Sequence, residues 1–183
     1  MPESTKFHPK VCLTAAGFLV NDNKVLLVKH KKLGIWLAPG GHLDKAELPH
    51  QAAEREFWEE TAIKVKAKSV LPLLPGTANS DYHPVPFSVN LHWISQELYK
   101  KRLASSTPEK RVVDKVWQLG CEKHLVFTYV VEAVAGLDFK QNVEETDGIS
   151  WFSKKELVDL ETIPEVRAEA NWVLDQANKK GSK

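Results

Sequence analysis

Three carboxylates, Glu56, Glu59 and Glu60, lie close together in a stretch whose spacing reads as helix. At about 100° per residue they fall within roughly a 100° arc of one face. The small Ala52 lies inside that arc and Ala53 at its edge. Like charges so placed repel one another and weaken a helix, which calls for a cation. A hard divalent ion takes one or two carboxylates with water and bridges to phosphate oxygens. Bound in this way it polarises a phosphoryl oxygen and acidifies a water, and a neighbouring carboxylate can serve as general base. Upstream, Gly40-Gly41 can bring bare backbone close to a metal or a phosphate. The same residues also compose an ordinary solvated helix face, with Arg55 four residues before Glu59 as an i,i+4 ion pair. On the helix and its glycine loop alone, the two readings stand level.

The elements that must position these residues follow from the pattern. Val11–Val20 and Lys24–His30 are β-rich runs joined by Asn21-Asp22-Asn23, which predicts a hairpin. Residues 31–47 are rich in glycine and read as loop, and 48–62 as a helix with Pro49 at its start. Further strands are expected at 65–74, 87–94, 124–135 and 148–152. Ser153 with Glu156, and Thr162 with Glu165, have capping-box spacing. They predict a short helix through Leu160 and a C-terminal helix at about 164–178, with the tail after it frayed. Residues 96–123 read as an insertion, with a helix starting at Thr107-Pro108 and packing through Val113 and Trp117. Strands mixed with few helices predict one domain over 1–183, with an α/β or α+β layered fold.

Composition excludes more than it identifies. The 183 residues carry 25 Lys+Arg and 24 Asp+Glu, a net charge of +1, which argues against a dedicated nucleic-acid or membrane-surface binder. No run approaches the ~20 apolar residues of a membrane span. Lys6 and Lys10 precede an apolar run, as in an export signal. Glu3 and the Asn-Asp-Asn segment break that pattern, so a cytoplasmic protein is expected. Cys12 and Cys121 cannot build a disulfide framework, and neither is read as having a Cys or His at zinc-site spacing. Reduced thiols are the expectation.

Gly41, five residues, Glu47, seven residues, then Arg55-Glu56-Phe57-x-Glu59-Glu60-x-Ala62-Ile63 resembles the signature of the Nudix hydrolases. That family's pattern is Gly-x5-Glu-x7-Arg-Glu-U-x-Glu-Glu-x-Gly-U, with U a bulky apolar residue. Trp36-Leu37-Ala38-Pro39-Gly40 is similar to its usual lead-in. The one departure is Ala62, where the family has Gly. A left-handed helix end there would strain Ala by about 1 kcal/mol, so a shifted or strained end is expected.

The resemblance implies an α/β/α sandwich with a mixed β-sheet, and hydrolysis of a nucleoside diphosphate linked to another group, such as a nucleoside triphosphate, with Mg²⁺ or Mn²⁺. By position, it makes Glu56, Glu59 and Glu60 metal ligands together with the carbonyl of Gly40. Glu56 or Glu59 becomes the base, Arg55 orients neighbouring glutamates, and Glu47 supports the site. Glu144 or Glu145 could supply the later-loop glutamate that many members use. Candidate substrate contacts are Gly41, His42 near a phosphate or the metal's water, Trp36 stacking on a base or supporting the loop, and Glu145. Tyr82 and His83 sit in a region that often sets specificity. The 96–123 segment holds seven Lys/Arg against four acids and could meet a polyphosphate or a partner, although a solvated helix is the simpler reading. A homodimer is a possible assembly. The alternative function is a nucleotide-sensing module with little turnover, against which the intact carboxylates count.

Overall fold

The computed structural model describes residues 8–104 and 120–181. Eleven-residue β1 (Val11–Asn21) turns into β2 (Lys24–His30). Asp22 and Asn23 take φ of 46° and 57°, the paired left-handed values of a two-residue hairpin turn. Polar side chains that tolerate this conformation explain why the chain reverses there. Val20 faces Val25 and Asn21 faces Lys24, and the β1–β2 register is confined to this end.

Beyond the turn the two strands go separate ways. β1 pairs in parallel with β7 (Lys123–Ala133), from Val11 opposite Lys123 to Leu19 opposite Val131. β2 pairs antiparallel with β8 (Thr146–Ser153) and with the short β3 (Trp36–Leu37). On its other side β1 takes β4 (Gly40–His42). β5 (Val65–Lys68) and β6 (Ser88–Trp93) both pair antiparallel with β7. One parallel pairing among antiparallel ones makes the sheet mixed.

Alternate strand residues feed opposite faces. Leu19 and Leu26 join Ala52, Ala53 and Phe57 of α1 (Pro49–Thr61), with Val131 and Ile63. Phe18, Val25 and Leu27 join Val166, Ala170, Val173 and Leu174 of the C-terminal helix (Pro164–Gly181) on the other face. The architecture is the expected α/β/α sandwich.

Several boundaries differ from the sequence reading. The 31–47 segment is not all loop, because Trp36–Leu37 and Gly40–His42 are short strands held at the sheet. The strand expected over 65–74 stops at Lys68, where the backbone leaves for a loop carrying Pro72 and exposed Leu71, Leu73 and Leu74. After Ser153 there are turns rather than a helix. The capping contact forms, with Ser153 N–H donating to Glu156 Oε2 at 2.7 Å. The carbonyls of Leu157, Val158 and Leu160, however, accept from the Arg167 guanidinium instead of continuing a helix. The Thr162 hydroxyl likewise donates to the Trp36 carbonyl, tying β3 to the start of the C-terminal helix. That helix runs to Gly181, past the expected end.

A helix not foreseen, α2 (Gln96–Leu103), follows β6. Ser95 caps it by accepting from Leu98 N–H at 3.1 Å, and Glu97 in its first turn and Lys100–Arg102 in its last suit the helix dipole. The helix expected from Thr107 lies outside the described residues. With α1 and α2 so defined, the C-terminal helix is α3.

Candidate active site

α1 starts at Pro49, whose missing N–H is no loss at the first helical position. The Gln51 side chain accepts from Leu48 N–H at 3.1 Å and closes that end. Buried Ala52, Ala53 and Phe57 press the helix onto the sheet, which turns Glu56 and Glu60 toward β4. Glu60 is only 7% exposed, and its Oε2 accepts from Gly40 N–H at 3.1 Å. A Cβ built on Gly41 would stand 2.4 Å from the Glu56 carboxyl carbon. A Cβ on Gly40 would meet the Ala15 carbonyl at 2.4 Å and Ala16 Cα at 2.7 Å. Gly40 is therefore required by close approach of backbone, while Gly41 leaves the Glu56 carboxylate its place.

Arg55 ties the acidic face together. Nε and Nη2 donate to the two oxygens of Glu47, each at 2.9 Å. Nη1 donates to Glu56 Oε1 and to Glu59 Oε2, each at 2.8 Å. Nη2 also reaches the carbonyl of His42 at 2.9 Å, so one guanidinium joins α1, β4 and the loop between them. The i,i+4 pair with Glu59 expected of a plain helix face is present, but Glu59 is one of four hydrogen-bond partners.

The electrostatics separate these carboxyls. Burial pushes the Glu60 carboxyl up to about 8, against the Gly40 N–H and with Glu56, Glu145 and Glu59 adding repulsion. Burial also raises Glu56, partly countered by Arg55. Glu47 moves the other way, lowered first by its hydrogen bonds from Arg55, and the same bonds hold Arg55 firmly protonated.

Glu56, Glu60, Gly40, Gly41 and His42 line a cleft of about 340 Å³. Glu144 and Glu145 border the same cleft, as do His30, Lys31 and Lys32 from the end of β2. Lys31 is fixed there by its Nζ donating to the Val143 carbonyl at 2.8 Å. Nothing in the sequence marks His30–Lys32 as part of the site, because basic residues at a strand end carry no local signal of what they face. Trp36 is not among the lining residues, and its ring meets Phe152 edge-on with centroids 4.7 Å apart.

His42 is half-buried, and its Nε2 lies 3.1 Å from Cys121 Sγ. The Cys12 and Cys121 sulfurs are 2.8 Å apart, and with His124 these residues form a cluster that could hold a metal ion. This corrects the expectation that neither cysteine has a suitable neighbour. Three of the four residues come from different strands, which spacing along the chain does not reveal. The two-residue gap in Cys121-Glu122-Lys123-His124 was a visible signal.

A family model described as the NUDIX domain matches residues 12–173. The chain belongs to the Nudix hydrolase family. Family membership supports a phosphoanhydride hydrolase mechanism at the family level. Among Nudix relatives, a "MutT-like protein" of Streptomyces ambofaciens is 31% identical over 77 residues, 42% of this chain and 50% of that one. An "ADP-ribose pyrophosphatase" of Methanocaldococcus jannaschii is 39% identical over 67 residues, 35% of this chain and 38% of that one. The matched segment thus spans half or less of these curated relatives. A crystal structure of a NUDIX-family hydrolase from Clostridium perfringens superposes with a TM-score of 0.60 at 21% identity, over 91% of this chain and 98% of that one, and supports the fold.

The one unorthodox Nudix position behaves as its chemistry requires. Ala62 ends α1 in the left-handed conformation, φ 61° and ψ 5°, and its N–H donates to the Trp58 carbonyl at 2.7 Å. The helix end is not shifted, so the strain resides in Ala62 itself.

Proposed function

We propose that this protein is a metal-dependent pyrophosphohydrolase cleaving a phosphoanhydride bond in a nucleoside diphosphate linked to another group, such as a nucleoside triphosphate. The observation that carries the reading is the cleft itself, with Glu56 and Glu60 on one wall and His30, Lys31 and Lys32 on another. A polyphosphate needs both: cations for its oxygens, and carboxylates for the ion that accompanies it.

The residues fit Mg²⁺ or Mn²⁺. Glu60 is buried with its charge opposed by its neighbours, a position that a divalent cation relieves. All the side-chain donors are hard oxygens. Glu56, Glu59, Glu60 and the Gly40 carbonyl would hold the ion, which when bound supplies a polarised phosphoryl oxygen and a water of lowered pKa.

The chain does the rest. Arg55 fixes the Glu56 and Glu59 carboxylates from one nitrogen, and Glu47 fixes Arg55. Either Glu56 or Glu59 accepts the proton of the attacking water. Lys31, Lys32 and His30 take phosphate oxygens, and Gly41 permits approach of the chain to substrate. His42 contributes its carbonyl to Arg55. Glu145, beside Glu144, is the later-loop glutamate that joins the acidic wall.

A hydrolysis panel with Mg²⁺ tests the reading: nucleoside triphosphates, oxidised ones, ADP-ribose, dinucleoside polyphosphates, sugar nucleotides and coenzyme A. Glu59→Gln and Glu60→Gln should each lower turnover of the active substrate by orders of magnitude while circular dichroism stays unchanged. Unchanged turnover in both variants overturns the metal-site assignment. Tight binding of one compound with no hydrolysis of any identifies a sensor instead.

A further inference from the structure

Cys12, His42, Cys121 and His124 meet on one face of the sheet, apart from the glutamates. Cys12 on β1 stands opposite His124 on β7, and Thr14, two residues along the same face, stands opposite His42 on β4. Cys121 comes from the segment just before β7, three residues from His124. One ligand atom from each of the four lies within 4.8 Å of every other. A tetrahedral ion with sulfur at about 2.3 Å and nitrogen at about 2.0 Å needs ligand atoms roughly 3.3–3.8 Å apart. The sulfurs at 2.8 Å and the His42 Nε2–Cys121 Sγ contact at 3.1 Å are already gathered to within that range or closer. An ion would spread the two sulfurs by about 1 Å and settle the four ligand atoms, all within 4.8 Å of one another, at tetrahedral spacing.

A second observation points the same way. Among the described residues, the buried side-chain polar atoms without a hydrogen-bond partner are Thr14 Oγ1 and His124 Nε2. Both belong to this face. A buried imidazole nitrogen left without a partner is unfavourable, and metal coordination satisfies it.

The surroundings hold the ligands in place. The Glu122 carboxylate accepts from Arg102 Nε at 2.6 Å and Nη2 at 2.8 Å, and from Lys10 N–H at 2.8 Å. Its carbonyl accepts from Ile94 and Ser95 N–H at 2.9 and 3.1 Å. Cys121 therefore precedes a residue pinned to β1's approach and to α2. The His42 and His92 rings stand on either side of His124, with centroids 5.0 and 5.9 Å away.

We propose that Cys12, Cys121, His42 and His124 bind one structural Zn²⁺, separate from the hard-cation site at the glutamates. Two thiolates and two neutral imidazoles are the donor set of a closed tetrahedral zinc centre. The two thiol protons leave on binding, and the thiolate charges cancel the ion's double charge, so the site stays neutral. The ion clips β4 to β1 and β7. Since the His42 carbonyl receives Arg55 Nη2, the clip also steadies the guanidinium that organises Glu47, Glu56 and Glu59.

Metal analysis of the intact protein purified under reducing conditions should give one zinc per chain. Replacing zinc with Co²⁺ should give the visible absorption of a tetrahedral, thiolate-ligated ion. Cys12→Ser and His124→Ala should lose the stoichiometric zinc and that spectrum. Glu60→Gln should keep both, which separates this site from the catalytic reading. Absence of bound zinc together with absence of the Co²⁺ spectrum in the reduced wild-type protein overturns the proposal, whether or not the two cysteines oxidise to a disulfide in air. Because the decisive spectrum is taken on wild type, a variant that fails to fold leaves the test intact.

Discussion

Arg55 meets Glu47 through two parallel hydrogen bonds of 2.9 Å, a fork-to-fork pair that bridges the loop before α1 to the helix itself. Two bonds fix the plane of the guanidinium, not just its distance, and the remaining donor is thereby aimed at Glu56 and Glu59.

Lysine cannot reproduce that geometry. Arg55→Lys is expected to lower kcat about 10–100-fold and to weaken the apparent Mg²⁺ affinity, as loss of a supporting partner does at metal sites. Steady-state kinetics across a Mg²⁺ titration, with far-ultraviolet circular dichroism as control, measure this. A variant with wild-type kcat and Mg²⁺ dependence removes Arg55 from the site.

Neighbouring glycines should fail in different ways. The Cβ of Gly41→Ala points at the Glu56 carboxylate, which can swing aside, so activity is lost while the melting temperature changes little. The Cβ of Gly40→Ala meets backbone of Ala15 and Ala16, which cannot swing, and is expected to lower stability by about 1–3 kcal/mol. Urea unfolding and turnover measured on both proteins distinguish the two.

Ala62→Gly is expected to stabilise the fold by about 0.5 kcal/mol, the left-handed strain relieved less the extra freedom glycine gives the unfolded chain. Chemical denaturation reads it directly. A destabilised Ala62→Gly would show that the left-handed conformation is not where the energy lies.

Glu169 on α3 has its carboxyl raised, first by burial and then by Glu165, against hydrogen bonds from Ser88 and Thr128. Below the unfolded pKa both states are protonated and the group contributes nothing to stability. As pH rises through the folded value, the folded state must ionise a group it holds protonated more tightly than the unfolded chain does, and stability is lost. Glu169→Gln should therefore melt higher than wild type at pH 8, with the difference vanishing near pH 3. An equal difference at both pH values would assign the effect to packing instead of charge.

The fold was legible wherever side-chain period and burial agree. Phe18 and Leu19, or Val25 and Leu26, are adjacent in sequence and go to opposite cores, which is what alternation in a two-faced central strand predicts. Local signals misled where tertiary partners took over: Arg167 claims the carbonyls that a helix after Ser153 would have used, and Trp36 takes the Thr162 hydroxyl. At the site, spacing along one helix showed the glutamates and Arg55. What lies across from them, His30 to Lys32, depends on how β2 diverges from β1, and the Cys/His cluster depends on β1 lying beside β7. Neither relation is written in any short stretch of residues.

That parallel β1–β7 pairing has a consequence for how the chain matures. Val11 cannot find Lys123, nor Leu19 find Val131, until most of the polypeptide has been synthesised. Contacts between residues so distant in sequence form slowly, because a long loop must close first. On the ribosome, β1 therefore waits with that edge unpaired after the residues of the glutamate-bearing helix have already been made. The acidic segment comes early in the chain, and the scaffold that makes it a site arrives only with the strand that also delivers His124.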